Sequence, residues 1–372
     1  MLSSQIFPQS LILPGKTLFQ PGAAANLAGE CLKFGSRGLI VHGQSLEKNN
    51  HKERIAAGFP EAEKVEWFCR GQLEPALEEL SEVIRKARKI KACWVAGVGG
   101  GSVMDLAKAA AGLVNAPQEP EYYLGGGVLK EPGIPFIAVP TTAGTGAEAT
   151  PNAVIINRGK KSKVSIRDNS FLARTVILDC ELLEGLSVEV MAYAGMDAYV
   201  QAYEAFISKN ATWYSETLAL KAVDLIDGNI LAACSLPQEE NLSAMLLGSY
   251  FAGLALASAR LGVIHGIAHP LGALYQKPHG LICAVCFVPA IKINRQAVGT
   301  KYDILSELVG RDFQQRITQI TAGLKISSPF SGKKIPEKEK IIKDTLSSGS
   351  TAANPREVTA EDVKFILKEI FF

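Results

Sequence analysis

The first half of the chain alternates short apolar runs with helical stretches, and no other feature restricts the fold as strongly. Four runs of strand length, at 38–41, 92–96, 135–139 and 175–178, are bounded by glycine, proline or charge. Helical patterns at 75–91 and 102–114 precede and follow the second run. Continuous apolar runs are typical of parallel strands covered on both faces. The pattern predicts a doubly wound α/β domain over residues 1–180.

The second half of the chain has a different pattern. Helical stretches follow one another with few β-branched runs between them, at 182–208, 213–233, 241–259, 265–275, 303–309 and 359–371. We therefore expect an all-helical C-terminal domain over residues 181–372. The uncharged stretch 242–259 approaches the length of a membrane span, but polar residues and glycine interrupt it. A buried central helix explains it better.

Composition excludes several classes of protein. The 39 Lys and Arg residues nearly balance the 37 Asp and Glu residues, and the net charge is +2. The chain therefore lacks the excess of positive charge that is typical of proteins that bind nucleic acid or an anionic membrane. Seven cysteines without a secretory signal in view indicate reduced thiols and a cytoplasmic protein. Cys283 and Cys286 leave a redox or zinc motif open, but their apolar surroundings favour packing.

A glycine-rich turn joins the second strand to a helix. Gly99, Gly100, Gly101 and Ser102 lie at the start of that helix, where free N–H groups favour a phosphate and glycine permits close approach. The spacing matches neither the G-x-G-x-x-G fingerprint nor the P-loop. Asp105 either contacts a ribose or complements the helix dipole.

A second loop follows the third strand. Thr141, Thr142 and Thr145 supply hydroxyl groups beside two glycines, which suits phosphate oxygens or a ribose. Loops at the carboxyl ends of parallel strands meet at one edge of the sheet. The two loops together predict a Rossmann-like, dinucleotide-binding N-terminal domain.

Three of the five histidines lie within fifteen residues. His265 and His269 share one face if they lie on a helix, and His279 begins a new turn nearby. Gly266 excludes the metalloprotease motif H-E-x-x-H. Asp197 lies on an otherwise apolar helix, where a carboxylate is costly unless it is paired or binds a cation. The pattern favours a metal site but does not settle its ligands.

Four segments together resemble the iron-containing (group III) alcohol dehydrogenases, and glycerol dehydrogenases and dehydroquinate synthases are more distant relatives. The segments are GGGSVMD at 99–105, PTTAGTGAE at 140–148, GMDA at 195–198, and HGIAHPLG at 265–272 with PHG at 278–280. The resemblance covers essentially the whole chain. It implies a dinucleotide-binding domain and a helical domain that enclose a deep cleft.

The resemblance also implies roles for individual residues. It makes Asp197, His265 and His279 metal ligands and places His269 near the nicotinamide as a proton relay or substrate contact. The family usually has a fourth ligand, a histidine, where this chain has Gln201. An amide oxygen binds iron or zinc less well than imidazole. We therefore expect weaker iron retention and a site open to zinc, with a metal-free reductase as an alternative.

The residues after the first predicted strand bear on the choice of nicotinamide cofactor. A carboxylate there would repel a 2′-phosphate, but the chain has Gly43 and Ser45. We therefore expect NADP(H) rather than NAD(H). Asn152 is also assigned to the cofactor site, and Lys163 matches a family position near the cofactor, although a basic hairpin tip is usually just solvated.

The resemblance implies reversible hydride transfer between the nicotinamide and a small aldehyde or the corresponding primary alcohol, assisted by divalent iron or zinc. It also implies a homodimer or a larger homo-oligomer. The alternatives are a metal-free reductase of the same family, a dehydroquinate-synthase-like lyase and a non-catalytic dinucleotide-binding protein. The lyase needs a Lys/Arg-rich pocket, whereas the segments around His265 are apolar.

Overall fold

The computed structural model describes residues 8, 10–48, 50–61, 63–71, 75–159 and 162–372. Two compact units divide at residue 185. Ile12–Gly185 form the first unit, and Leu186–Phe372 form the second together with the described residues before Ile12. The sequence placed this boundary at 180. The predicted classes are confirmed, because a parallel sheet with flanking helices forms the first unit and helices form the second.

The sheet of the first unit has six parallel strands in the order β1-β8-β5-β4-β2-β3. The strands are β1 Thr17–Phe19, β2 Arg37–His42, β3 Lys64–Cys69, β4 Trp94–Gly99, β5 Phe136–Pro140 and β8 Thr175–Leu178. All four predicted runs are strands. The two that sequence reasoning missed, β1 and β3, are the edge strands, and both are partly exposed. Edge strands lack the continuous apolar pattern of buried ones.

The remaining elements of the first unit surround this sheet. The helices are α1 Leu27–Leu32, α2 Gln44–Lys48, α3 His51–Ala56, α4 Leu77–Ile90, α5 Gly101–Leu113 and α6 Pro120–Leu124. A separate antiparallel hairpin consists of β6 Asn152–Asn157 and β7 Ser162–Arg167. The apolar core includes Ile40, Trp94 and Val139 from central strands, all fully buried.

A buried lysine ties α5 to the loop after β5. Lys108 is fully buried, and its Nζ donates hydrogen bonds to the carbonyl oxygens of Ala147, Thr150 (3.0 Å) and Asn152 (2.9 Å). Asp105 lies 3.7 Å from the same ammonium group. Because a buried cation is costly without partners, these contacts fix the threonine loop and the start of β6 against α5.

The second unit consists of helices within its described residues. They are α7 Val188–Ile207, α8 Trp213–Ser235, α9 Glu239–Ala259, α10 Val263–Tyr275, α11 His279–Val298, α12 Thr300–Leu308, α13 Phe313–Gly323, α14 Lys338–Leu346 and α15 Ala360–Phe371. The sequence analysis predicted no helix for the segments of α11, α13 and α14. Pro289 lies inside α11 and is not typical of a helical interior.

Glycines allow the central helices to approach closely. A Cβ at Gly195 of α7 would lie 2.6 Å from the end of Met245 on α9, and one at Gly280 of α11 would overlap the carbonyl group of Tyr193 on α7. The helices α9 and α11 are long and apolar enough to cross a membrane, but 67% and 61% of their most apolar windows are buried within the protein. Packing in a helical core accounts for their composition.

Candidate metal centre and dinucleotide site

Three helices bring four potential metal ligands together. Asp197 lies on α7, His265 on α10, and His279 and Cys283 lie one turn apart on α11. One ligand atom from each of the four lies within 4.8 Å of all the others. The structure thus gathers three of the four predicted ligands and adds a thiol that the sequence analysis had assigned to packing.

The distances in this cluster suit a single cation. Asp197 Oδ1 lies 3.3 Å from His265 Nε2 and 3.8 Å from His279 Nε2. Cys283 Sγ lies 3.6 Å from His279 Nε2. Ligands of one small ion lie at such separations from each other because each is about 2.0–2.3 Å from the metal.

Glu204 supports the imidazole of His265 from the opposite side of the ring. Its Oε2 lies 2.7 Å from His265 Nδ1, and its Oε1 accepts a hydrogen bond of 2.6 Å from the backbone N–H of Ile264. Glu204 is only 1% exposed. Because Nδ1–H donates to this carboxylate, Nε2 is left for a metal. Sequence reasoning missed Glu204, although its spacing of seven residues from Asp197 places it on the same face of α7.

The charges in the cluster perturb the pKa values of its members. Burial lowers the pKa of His265, but hydrogen bonds to Asp197 and Glu204 outweigh this effect and raise the pKa to about 9. Burial raises the pKa of Asp197, yet the hydrogen bond from His265 and the charge of His279 shift it downward overall. Burial raises the pKa of the Cys283 thiol. Two carboxylates and two imidazoles thus form a strongly coupled polar centre inside an apolar unit.

The side chain of Gln201 bears on whether the centre can hold a cation. It lies one turn after Asp197 on the same face of α7 and is 4% exposed. Its Oε1 is buried and has no hydrogen-bond partner among the described residues. A buried carbonyl oxygen without a donor is costly, and a cation nearby would compensate it. Together with the carboxylate and imidazole donors, this orphaned oxygen fits a divalent metal.

His269 lies outside the four-residue cluster. It follows His265 by one turn of α10 and is exposed. Its ring stacks on that of His279, with 5.6 Å between centroids and 16° between planes. His269 is therefore adjacent to the centre and reachable from solvent, which suits a group that exchanges protons.

In the first unit, the two predicted cofactor loops are in contact. A Cβ at Gly101, the first residue of α5, would lie 2.5 Å from Thr145 Oγ1, and one at Gly100 would lie 3.1 Å from Thr142 Oγ1. The N-cap of α5 has no side-chain hydrogen bond. The absence of a Cβ at Gly100 and Gly101 therefore lets the threonine loop pack directly against the N-terminus of α5, and a helix N-terminus beside hydroxyl groups suits a pyrophosphate.

The other predicted cofactor residues occupy different positions around these loops. Gly99 ends β4, and its carbonyl oxygen accepts from the backbone N–H of Thr141. Asp105 Oδ2 accepts a hydrogen bond of 3.1 Å from the backbone N–H of Val154, so this carboxylate anchors the hairpin. Ser102 lies in the first turn of α5, and the exposed Lys163 lies on β7. Asn152 begins β6, and its buried Oδ1 lacks a partner among the described residues.

The carboxyl end of β2 carries no carboxylate at its first positions. Gly43 follows the strand directly, and Ser45 is exposed in α2. The nearest acid in sequence, Glu47, accepts a hydrogen bond of 2.8 Å from Lys52.

The chain thus has an α/β unit with a parallel sheet and a helical unit with a cluster of Asp and His side chains. These features place it in the class of two-domain, metal-dependent dehydrogenases. A profile of iron-containing alcohol dehydrogenases matches residues 14–180, and one of the C-terminal part of the Fe-containing alcohol dehydrogenase family matches residues 191–371. The chain belongs to the iron-containing alcohol dehydrogenase family, which confirms the resemblance.

Individual relatives agree with this assignment. The sulfoacetaldehyde reductase of Bilophila wadsworthia is 32% identical over 295 residues, which cover 78% of this chain and 76% of that protein. The NAD-dependent methanol dehydrogenase of Bacillus methanolicus is 28% identical over 377 residues, which cover 96% and 99%. A solved alcohol dehydrogenase from Oenococcus oeni has a TM-score of 0.91 at 26% identity, covering 97% of this chain and 100% of that chain.

The protein is thus an oxidoreductase of small alcohols or aldehydes that acts by hydride transfer, as predicted. The family is iron-containing and the relative from Bacillus methanolicus is NAD-dependent, which supports the predicted divalent metal and nicotinamide cofactor. The family membership leaves the roles of single residues, the choice between NADP(H) and NAD(H), and the assembly as proposals.

Proposed function

We propose that the protein reduces a small aldehyde, or oxidises the corresponding primary alcohol, at a divalent metal held by Asp197, His265 and His279. The observation that carries this proposal is the gathering of these side chains, with all ligand atoms within 4.8 Å of one another. Gln201 faces the same side of α7 as Asp197 and contributes a neutral oxygen at most.

The chemistry divides between the bound groups and the chain. A divalent cation at this centre would supply Lewis acidity to the carbonyl oxygen, and the nicotinamide would supply or accept the hydride. Glu204 and Asp197 hold the His265 ring in a fixed orientation. Because His265 and Asp197 are almost fully buried, their electrostatic interactions are stronger than they would be in water.

We assign proton transfer to His269. During aldehyde reduction its imidazolium would deliver a proton to the developing alkoxide, and during alcohol oxidation the neutral ring would accept one. Its exposure allows exchange with solvent, and its stacking on His279 keeps it beside the centre. A His269→Asn variant should keep its metal and lose about 10²–10⁴-fold in kcat. Metal loss in that variant would contradict this assignment.

We also propose that NADP(H) is the preferred cofactor. Gly43 leaves no carboxylate to repel a 2′-phosphate, and Lys52 partly neutralises Glu47. A Gly43→Asp variant should favour NAD(H), because the new carboxylate would bind the ribose hydroxyls and repel the phosphate. Equal or better kcat/KM with NADH in the unaltered protein would contradict the preference, and the NAD-dependent relative makes NAD(H) the alternative outcome.

The decisive experiment measures oxidation of NADPH and NADH with a panel of short aldehydes, with metal content determined on the same samples. His265→Ala should lose metal and turnover together, whereas the control His51→Ala, in α3 of the first unit, should retain both. Full activity in a metal-free sample would indicate a metal-free reductase. Absence of aldehyde-dependent oxidation would favour the lyase or the non-catalytic alternative.

Two further expectations concern the protein as a whole. We propose a homodimer or larger homo-oligomer, which light scattering of the purified protein tests.

We also propose a cytoplasmic location, which is supported by the absence of disulfides, because all seven cysteines are free. Fractionation of cells that express the protein tests this location.

A further inference from the structure

Cys283 is the fourth member of the metal cluster, and the mechanism above gives it no part. It is fully buried and lies one turn after His279 on α11, so both side chains share a face of that helix. Its Sγ lies 3.6 Å from His279 Nε2, and its thiol also hydrogen-bonds with Asp197. The sulfur is therefore in contact with two of the proposed ligands.

Two of the separations in the cluster match those of a tetrahedral zinc site. With Zn–N of about 2.0–2.1 Å and Zn–S of about 2.3 Å, a tetrahedral arrangement places nitrogen and sulfur ligands about 3.6 Å apart, and nitrogen and oxygen ligands about 3.3 Å apart. The Cys283 Sγ to His279 Nε2 distance is 3.6 Å. The His265 Nε2 to Asp197 Oδ1 distance is 3.3 Å. Asp197 Oδ1 and His279 Nε2 are 3.8 Å apart and all four ligand atoms lie within 4.8 Å of one another, so the remaining pairs would have to come closer for the four atoms to share one ion.

Gln201 supplies an independent observation. An amide stands where the family resemblance expects a ligating imidazole, and its buried Oε1 lacks a partner among the described residues. Without a further ligand, the centre would have one anionic donor for a dication in an apolar unit. A thiolate at Cys283 would add a second negative charge in direct contact with the ion, whereas the Glu204 carboxylate acts only through His265.

We propose that Cys283 is a metal ligand as its thiolate, and that Asp197, His265, His279 and Cys283 form a site that favours zinc over iron. Formation of the metal–sulfur bond breaks the S–H bond, and the proton leaves to solvent. The inference rests on the proposed function, because it requires a metal at this centre. The carbonyl oxygen of the substrate would then have to bind as a fifth ligand, which zinc permits. Soft sulfur ligands favour zinc, whereas carboxylate and imidazole donors alone also suit iron.

Cys286 provides a matched control. It is also fully buried and lies on α11, three residues after Cys283, but it is not a member of the cluster. Replacing either cysteine with serine makes the same chemical change in the same helix. A general effect of a buried serine would therefore be seen in both variants.

The first test uses the full-length protein after its metal has been exchanged for Co²⁺. The unaltered protein and Cys286→Ser should show a thiolate-to-cobalt charge-transfer band in the near ultraviolet. Cys283→Ser should bind cobalt without this band. In competition between Fe²⁺ and Zn²⁺ without oxygen, the preference for zinc should fall by about tenfold or more in Cys283→Ser. A band that persists in Cys283→Ser, or is absent from the cobalt-loaded unaltered protein, would overturn the proposal.

A second measurement needs no variant, so the proposal stays testable if Cys283→Ser fails to fold. X-ray absorption of the zinc-loaded protein should show a sulfur neighbour at about 2.3 Å. A shell of only nitrogen and oxygen atoms would overturn the inference. If the protein reduces aldehydes but its zinc has such a shell, the proposed function stands and only the inference fails. If its zinc has a sulfur ligand but the protein shows no aldehyde-dependent turnover, the inference stands and only the proposed function fails.

Discussion

Glu204 Oε2 lies 2.7 Å from His265 Nδ1, so a buried carboxylate fixes the tautomer and orientation of a ring whose other nitrogen faces Asp197. The same glutamate accepts a hydrogen bond from the backbone N–H of Ile264 and so also fixes the first turn of α10. A Cβ at Gly262, the N-cap of that helix, would lie 2.8 Å from Glu204 Oε1, which explains why glycine stands there. Glu204 is thus a positioning residue for the metal centre.

Glu204→Gln should lower metal affinity by about 10–100-fold, because loss of the charged acceptor weakens the hold on His265 and lowers its basicity. Competition with a coloured chelator measures the affinity. Glu216→Gln is the control, since Glu216 is another fully buried carboxylate, paired with Lys301 at 2.8 Å outside the cluster. An equal loss in both variants would show that general destabilisation is the cause.

Gln201→His should raise iron occupancy, because an imidazole on the same face of α7 as Asp197 is a better ligand than an amide. Metal analysis of protein prepared with equal iron and zinc measures the change. Gln201→Asn, which keeps an amide, serves as the control. Unchanged iron occupancy in Gln201→His would show that this position does not reach the metal.

Gly101→Ala should weaken binding of the nicotinamide cofactor, since its Cβ would lie 2.5 Å from Thr145 Oγ1 and push the two cofactor loops apart. The expected result is a rise in the cofactor KM of about tenfold, equivalent to about 1.4 kcal/mol. Gly29→Ala makes the same change in α1, where nothing lies within 4 Å of the new Cβ. A normal KM in Gly101→Ala would remove this loop from the cofactor site.

Glu148 predicts a specific dependence of stability on pH. Burial raises its pKa from 4.5 to about 7, despite a backbone hydrogen bond and the opposing charge of Lys108. Between these values the folded protein holds a proton that the unfolded chain releases, so this group makes stability fall as pH rises. Glu148→Gln should remove that slope and gain up to about 3 kcal/mol above pH 7 relative to the unaltered protein.

Thermal unfolding of both proteins between pH 4 and 9 measures the Glu148 effect. Glu78→Gln is the control because it removes one carboxylate from an exposed position on α4. A slope that remains in Glu148→Gln would show that another group causes it.

The sequence by itself determined the two-part architecture and most of the centre. Central strands such as β4 and β5 have continuous apolar runs, and their burial on both faces imposes that pattern locally. Asp197, His265 and His279 were found through motifs and family resemblance. The spacing of His265 and His269 alone would have paired two histidines of which the cluster contains only His265, because a helical face does not show which neighbouring helix it meets.

Only the tertiary structure decided which groups complete the centre. It also decided part of the fold. Edge strands β1 and β3 are partly exposed, so their sequences lack a regular pattern of apolar residues, and Pro289 made the segment of α11 unlike a helix. The sequence analysis assigned Cys283 to packing and gave Glu204 no role. Their distances to His279 and His265 depend on close packing of α7, α10 and α11, which glycines such as Gly280 permit. Ligand geometry is a contact between distant segments, and such contacts leave no local pattern in the sequence.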